Sequence, residues 1–263
     1  MKKLIVPIAL AVLSMPALLA QSALDGTWKI NTNNASFSKK PDIEVLQGGM
    51  YECKTCVPPY KVKADGSDQA VTGHPYFDAV AITVVNDHEI QETHKKGGKV
   101  VSTASVTISP DGNTETVTFS DSSATNGGPP VTGKGTATRT AKGPAGSHLA
   151  SGSWVTKSIE GLSDNGIVFT YKVSGSEVTM TNPTGQSYTA KLDGTDAPMK
   201  GDPGTTSVSV KMIGKNTLEE TDKRDGKVIG TWKMTVSADG KTAKGTGVDT
   251  LSNRTTSFDV VKQ

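Results

Sequence analysis

The chain has 263 residues, of which 34% are hydrophobic, only 5% are aromatic and 28 are glycine. Its 28 basic and 26 acidic side chains are interspersed, which argues against nucleic acid as a partner, because phosphate neutralisation needs a concentrated basic surface. The length is comfortable for two domains, and a composition rich in Gly, Thr, Ser and Val favours strands joined by tight turns.

The N-terminus has the layout of a secretory signal peptide. Lys2 and Lys3 precede an apolar run, and small residues follow around Ala20 and Ala23, as at a cleavage site. The run is interrupted by two prolines and is shorter than the ~20 apolar residues of a spanning helix. We therefore predict that residues 1–23 are a signal peptide, that no integral membrane segment remains after cleavage, and that the protein is exported to the periplasm or the extracellular space.

The sequence contains one long internal repeat. Residues 60–118 align without a gap on residues 188–246, and 21 of the 59 positions are identical. Upstream, each copy opens on a Gly-x-Trp motif, at Trp28 and at Trp154. The period far exceeds that of a solenoid repeat, so each copy is large enough to be a domain, and the pattern indicates a tandem duplication.

Strand patterns recur in both copies. Val80, Ile82 and Val84 alternate with Ala or Thr, and the second copy repeats the alternation; a period of two indicates strands with one buried face. Gly97-Gly98 and Asp225-Gly226 supply the positive φ of two-residue hairpin loops. Each copy is therefore predicted to form about seven to nine short antiparallel strands in a meander, without a long helix.

These patterns predict an all-β fold of two tandem antiparallel meander β-barrels. The first barrel is expected over residues 24–140 and the second over residues 152–263, with a linker at residues 141–151. Each half is expected to close its own sheet around its own apolar interior, because closure removes unpaired strand edges. Two β-sandwiches, or one larger sheet shared by both halves, are the alternatives, since alternating patterns do not separate them from barrels.

An antiparallel meander that opens on Gly-x-Trp resembles the lipocalin-like (calycin) barrels, and the motif occurs twice in this chain. The resemblance implies that Trp28 and Trp154 each close one end of a barrel, and that an arginine of the last strand packs across each ring. Arg139 and Arg254 lie near the ends of the two copies, where these partners are expected. The chain also resembles exported bacterial proteins of unassigned activity that carry such repeats.

Cys53 and Cys56 are the two cysteines of the chain. In an oxidising compartment, two thiols this close are expected to form a local disulfide, whose small loop limits its stabilising effect to about 2 kcal/mol or less. A redox pair and a metal site are the alternatives. Redox motifs of the thioredoxin type begin a helix, whereas Pro58 and Pro59 follow here, and zinc needs two further ligands.

The motifs of known catalytic sites are absent from the sequence. The chain has no Gly-x-Ser-x-Gly elbow, no HExxH motif and no phosphate-binding glycine loop. His88, Glu92 and His94 lie at even spacing, which places them on one face of a straight strand, but polar residues at strand ends are most often just solvated. We predict no catalytic residue, no metal and no cofactor, and a protein that is not an enzyme.

Five residues are candidates for binding a ligand. Glu92 and Glu220 occupy equivalent positions; facing inward at a barrel mouth they can hydrogen-bond a ligand, although a rim charge paired with a lysine explains them as well. Ala104 stands where the second copy has a tryptophan, which leaves more room in the first barrel unless neighbours compensate. Tyr76 and Phe77, which replace a Gly-Thr pair, are expected to form an aromatic lip over that space.

Together these features predict an exported, non-enzymatic binding protein for a small apolar or amphipathic ligand, held by burial of apolar surface. A structural or adhesive envelope module with filled barrels is the first alternative, and an enzyme of unknown type is the second. The sequence indicates no particular protein partner.

Overall fold

The computed structural model describes residues 22–263, which form antiparallel strands and a single 3₁₀ turn at Asp164–Gly166. The all-β prediction is confirmed for these residues. Residues 1–21, nearly all of the predicted signal peptide, lie outside the described part, so cleavage and export stay predictions. Within residues 22–263, no helix is long and apolar enough to cross a membrane.

Each repeat contributes ten strands to the described part of the chain. Those of the first repeat are β1 (Gly26–Ser36), β2 (Asp42–Gln47), β3 (Met50–Cys53), β4 (Tyr60–Lys63), β5 (Gln69–Ala70), β6 (Ala79–Asn86), β7 (Glu89–Lys96), β8 (Lys99–Ile108), β9 (Thr114–Asp121) and β10 (Val131–Lys142). Those of the second repeat are β11 (Gly152–Glu160), β12 (Val168–Ser174), β13 (Glu177–Thr181), β14 (Ser187–Lys191), β15 (Asp193–Pro198), β16 (Ser207–Ile213), β17 (Thr217–Arg224), β18 (Lys227–Val236), β19 (Thr242–Asp249) and β20 (Arg254–Lys262).

The predicted hairpins form where the glycine-containing pairs occur. The turn between β7 and β8 places Gly97 at φ 56° and Gly98 at φ 77°. The turn between β17 and β18 places Asp225 at φ 50° and Gly226 at φ 77°. Two consecutive residues with positive φ match the twist of the flanking strands, so each hairpin register is set locally.

The twenty strands form two nearly closed, ten-stranded antiparallel sheets. One sheet has the order β4-β3-β2-β11-β10-β9-β8-β7-β6-β5, and we call it the first barrel. The other has the order β14-β13-β12-β1-β20-β19-β18-β17-β16-β15, and we call it the second barrel. The first barrel is thus built from the continuous segment 42–160, and the second from residues 26–36 together with residues 168–262.

The first strand of each repeat lies in the barrel of the other repeat. Trp28 in β1 is opposite Phe169 in β12, and Trp154 in β11 is opposite Asp42 in β2. The prediction that each half closes its own sheet is therefore wrong for β1 and β11. The reason is local: β10 pairs with β11, its neighbour in sequence, over eight residue pairs, and β11 carries the same Gly-x-Trp strand that β1 would have supplied.

Each barrel has its own apolar core. The first core includes Val80, Ile82 and Trp154, and the second includes Trp28 and Leu218; all five side chains are at most 1% exposed. The two tryptophans therefore stabilise the barrel that receives their strand, which is the barrel of the other repeat.

The ends of each sheet approach closure through a short bridge. In the second barrel, Ser187 of β14 and Lys200, just after β15, exchange two backbone hydrogen bonds of 3.0 and 2.8 Å. In the first barrel, the chain after β4 reaches β6, where the Gly66 N–H donates to the Ile82 carbonyl at 2.9 Å. These contacts leave little unpaired edge between the last and first strands of each sheet.

Candidate functional site

Each exchanged strand inserts a tryptophan with a cation over its ring. Trp28 and Trp154 are buried, and each indole Nε1 donates to a backbone carbonyl four residues upstream, at 2.8 Å and 2.9 Å respectively. The Arg139 guanidinium carbon lies 4.1 Å from the ring centroid of Trp154. The Lys262 ammonium lies 4.9 Å from the ring centroid of Trp28, so both rings make cation–π contacts.

The two arginines expected over these rings have different places in the structure. Arg139 covers Trp154, the tryptophan of the other repeat, because of the strand exchange. Arg254 covers neither ring: its guanidinium donates to Asp42 Oδ1 at 2.6 Å and to the Pro41 carbonyl at 2.8 Å. Arg254 thereby links the last strand of the second barrel to the first barrel, and Lys262 occupies its expected place.

Cys53 and Cys56 are joined, with their sulfurs 2.07 Å apart, as the predicted local disulfide requires. Cys53 is buried at the end of β3, where it also packs in the first core. Among residues 22–263, no three His, Cys, Asp or Glu side chains come together as metal ligands. His88 lies apart from His94 and contacts the Ile108 carbonyl at 3.0 Å through Nδ1.

Three glutamates share the interior of the first barrel. Burial raises the pKa of Glu44 and Glu92, and the neighbouring Tyr51 hydroxyl opposes this rise. Burial, together with the charge of Glu92, raises the pKa of Glu115 to about 8. The Glu115 Oε2 atom is buried without a hydrogen-bond partner. The Glu92 side chain is 15% exposed. It therefore belongs to a cluster of interior carboxyl groups and does not lie on an open rim.

The second barrel encloses a smaller acidic pair. Glu220 is 7% exposed, and the Tyr188 hydroxyl donates to its Oε2 atom. Burial, with the neighbouring charge of Asp222, raises the pKa of Glu220 to about 8. Burial also raises the pKa of Asp222. Glu220 is thus occupied by an internal tyrosine partner.

Ala104 lies opposite a large aromatic residue of the neighbouring strand. Ala104 on β8 is paired with Phe119 on β9, whereas the equivalent positions in the second barrel pair Trp232 with Gly247. A side chain at nearby Gly245 would overlap the Trp232 ring. The two barrels therefore place the large aromatic side chain on alternate members of the same strand pair, and the Phe119 ring lies over Gly133 of β10.

Tyr76 connects the two barrels. Its hydroxyl donates to Asp202 Oδ1 at 2.9 Å, and its ring covers Gly204 so closely that no Cβ would fit there. Asp202 also accepts from Gln186 Nε2 at 3.0 Å and from the Gly204 N–H at 2.6 Å. Because Gly204 is the repeat equivalent of Tyr76, corresponding loops of the two copies meet at this contact.

Phe77 lies in a stack of three rings. His74 and Phe77 have ring centroids 4.5 Å apart, and Phe77 and His94 have centroids 4.3 Å apart, with nearly parallel planes. Burial lowers the pKa of both histidines. The Nε2 atom of His94 points toward the interior, 4.0 Å from Glu92 Oε2, so this stack separates the interior carboxyls from the space beyond.

That space is a cavity of about 740 Å³ between the two barrels, which we call the junction cavity. Its apolar wall comes mainly from Ile30, Phe77, Val101, Phe119, Ile167 and Phe169. Its polar wall includes Tyr76, His94, Asp121, Asn165, Gln186 and Asp202. Both repeats contribute, and the exchanged strand β1 supplies Ile30.

Two asparagines fix the loops around the junction cavity. Asn126 Nδ2 donates to the carbonyls of Thr184 and Gly201, at 2.9 Å each. Asn165 Nδ2 donates to the Pro129 carbonyl at 2.9 Å. The loop after β9 is therefore bound to the second barrel, which gives the cavity a preformed shape.

The predicted ligand residues are only partly brought together. Tyr76 and Phe77 line the junction cavity, whereas Glu92, Ala104 and Glu220 do not. The sequence predicted a pocket inside one barrel, whereas the junction cavity lies between the two barrels. Because the cavity depends on contacts between the halves, alternation within one repeat carries no signal for it.

The residues that this reasoning missed are distributed over both repeats. Phe119 and Asp121 come from β9, and Phe169 comes from β12. The one available signal was the difference between copies, because Phe119 replaces Gly247 just beyond the aligned segment. No protein-family model matches this chain, and no curated protein matches it significantly.

Proposed function

We propose that the protein binds a small amphipathic molecule without transforming it, and that the junction cavity is the binding site. The observation that carries this proposal is the cavity itself. Its volume of about 740 Å³ lies within the ~300–1,000 Å³ of small-molecule sites, and its wall combines apolar and aromatic side chains with a few polar groups.

The interiors of the barrels support this position for the ligand. Each barrel interior holds a packed apolar core, and Trp232 packs against that of the second barrel. In the second barrel, the interior carboxyl of Glu220 is engaged by the Tyr188 hydroxyl. A ligand inside either barrel would have to displace packed side chains, which costs free energy, whereas the junction cavity is already open.

A non-catalytic role is supported by how the polar wall is used. Asp202 accepts from Tyr76, Gln186 and two backbone N–H groups, and Asn165 donates to backbone carbonyls. These groups hold the cavity together, so a bound molecule is expected to be retained and released unchanged. We propose an exported carrier, and the lipocalin-like Gly-x-Trp motif with a cation over each indole supports this class.

The test is displacement and titration of an uncharged fluorescent probe, N-phenyl-1-naphthylamine, in the intact protein. Ala124→Trp introduces an indole into the cavity wall and is expected to weaken probe binding by about tenfold or more. Ala238→Trp, at an exposed turn position, is the matched control and should leave binding unchanged. Loss of binding in Ala104→Trp but not in Ala124→Trp would instead place the ligand inside the first barrel.

A structural or adhesive envelope module is the second candidate, because each barrel interior holds a packed apolar core. In that case the wild-type protein would bind neither this probe nor other small amphipaths, and exposed loops would carry the partner contacts. A protein that binds no probe at any accessible concentration would favour this candidate over a carrier.

A further inference from the structure

We propose that the junction cavity takes an amphipathic organic cation, with Asp121 as the counter-ion of the ligand's ammonium group. This inference rests on the proposed function and names the ligand class for the same site. It commits to one occupant because the charges and the rings around the cavity both favour a positively charged head group.

The fixed charges of the cavity wall are negative. Asp121 and Asp202 line the cavity, and among the described residues that line it there is no lysine or arginine. Arg224, the cation beside Tyr76, does not line this cavity, and its Nε donates to the Gly204 carbonyl at 2.6 Å. An anionic head group would therefore meet two carboxylates and no basic side chain.

His94 does not offset this charge at neutral pH. Burial lowers its pKa, and the effect of His74 adds to this, against the opposing effect of Asp121. The imidazole is accordingly neutral at pH 7, and behind it lies Glu92, 4.0 Å from Nε2. Asp121 and Glu92 are thus the acidic groups near His94, and His74, whose pKa is also lowered by burial, adds no positive charge at pH 7.

The two carboxylates differ in how many hydrogen bonds they accept from neighbouring protein groups. Asp202 is held by four donors, among them the Tyr76 hydroxyl at 2.9 Å and the Thr205 N–H at 3.0 Å. Asp121 accepts the Ser123 N–H at 2.7 Å through Oδ1. Its second oxygen, Oδ2, is free of that bond, so Asp121 has more capacity to accept a hydrogen bond from an ammonium group.

Aromatic faces complete a site suited to a cation. Tyr76, Phe119 and Phe169 line the cavity together with Phe77, whose two faces are already covered by His74 and His94. Aromatic faces attract ammonium groups electrostatically, the more so when the pair is desolvated, and the same rings bury an apolar tail. A carboxylate head group gains neither contact.

The experiment compares three probes with the same tail: decylammonium, decanoate and 1-decanol, each displacing N-phenyl-1-naphthylamine below its micellar concentration. We expect the cation to bind at least about tenfold more tightly than decanoate, with 1-decanol between them. The preference should decrease at high salt, because exposed parts of the pair are screened.

Asp121→Asn is the decisive variant, and Asp87→Asn, at an exposed turn position, is the matched control. Asp121→Asn should reduce the preference for the cation to less than about threefold while leaving the affinity for 1-decanol unchanged. Decanoate binding as tightly as the cation would overturn the charge assignment and leave the proposed function intact. Failure of all three probes to bind would overturn the proposed function itself. If Asp121→Asn does not fold, the wild-type preference and its salt dependence still decide.

Discussion

Glu115 shows how a single buried carboxyl makes stability depend on pH. Its Oε2 atom has no hydrogen-bond partner, and burial raises its pKa to about 8 from a usual value of 4.5. Between these values the folded protein keeps a proton that the unfolded chain releases. Unfolding then releases protons, so the free energy of unfolding must fall as the pH rises through this interval.

We therefore expect Glu115→Gln to stabilise the protein at pH 8 by on the order of 4 kcal/mol and to have little effect at pH 4.5. Urea unfolding at both pH values measures the difference. Glu177→Gln, at an exposed position, is the control and should change neither value. Equal effects of Glu115→Gln at the two pH values would show that the carboxyl titrates normally in the folded state.

The sequence revealed a difference between the repeats only inside the aligned segment, and the related difference just outside that segment was missed. The replacement of Trp232 by Ala104 was visible, and it suggested a hollow. The compensating change from Gly247 to Phe119 lies one position beyond the aligned segment. Core side chains are closely packed, so changes at neighbouring positions have to be considered together. The change at position 104 was therefore misleading without the change at position 119.

At the scale of elements, β1 is the strand whose partners are hardest to foresee. Thr27 of β1 is opposite Thr170 of β12, and the Oγ1 atoms of the two residues lie 2.9 Å apart. Ser153 of β11 is the repeat equivalent of Thr27, and it is opposite Ile43 of β2. Without strand exchange, Thr27 itself would therefore be opposite Ile43. The two pairings are therefore distinguishable by a crosslink.

The double variant Thr27→Cys/Thr170→Cys is expected to form a new disulfide, because opposed residues of adjacent strands have suitable Cβ separations. Thr27→Cys/Ile43→Cys is expected to keep two free thiols. Thiol titration and mass analysis under non-reducing conditions measure both results. The opposite pattern, a crosslink only to position 43, would contradict the exchange.

The sequence contained enough to predict strands and turns but not which strand pairs with which across the repeat. Period two and the Gly97-Gly98 turn depend on neighbours in sequence, and both predictions hold. β1 and β11 carry the same Gly-x-Trp motif, so each fits either barrel equally well by local criteria. The choice follows from the direct hairpin-like pairing of β10 with β11, which is a property of chain connection rather than of strand composition.

At the scale of the whole molecule, the two barrels differ in how their chain is arranged. The first barrel is continuous over residues 42–160, and its ten strands need no other segment. The second needs β1 between β12 and β20. A fragment of residues 42–160 is therefore expected to fold cooperatively by itself, whereas a fragment of residues 161–263 is expected to lack Trp28 and remain unfolded.

Adding a peptide of residues 24–36 to the 161–263 fragment should restore strand structure, because it supplies the missing strand and its buried indole. Circular dichroism and tryptophan fluorescence measure the gain, and a peptide with Trp28→Ala is the matched control that should be much less effective. Independent folding of residues 24–140, without association, would contradict this division of the chain.

The strand exchange also has a consequence for the oligomeric state of a protein with a single copy of the repeat. A lone copy that kept this arrangement would have to give its Gly-x-Trp strand to another chain and accept one in return, as an obligate homodimer whose stability falls on dilution. Joining two copies through residues 143–151 makes the partner strand part of the same polypeptide. The assembled state then persists at any dilution, and the two halves become free to diverge, as the asymmetric contact of Tyr76 with Gly204 shows.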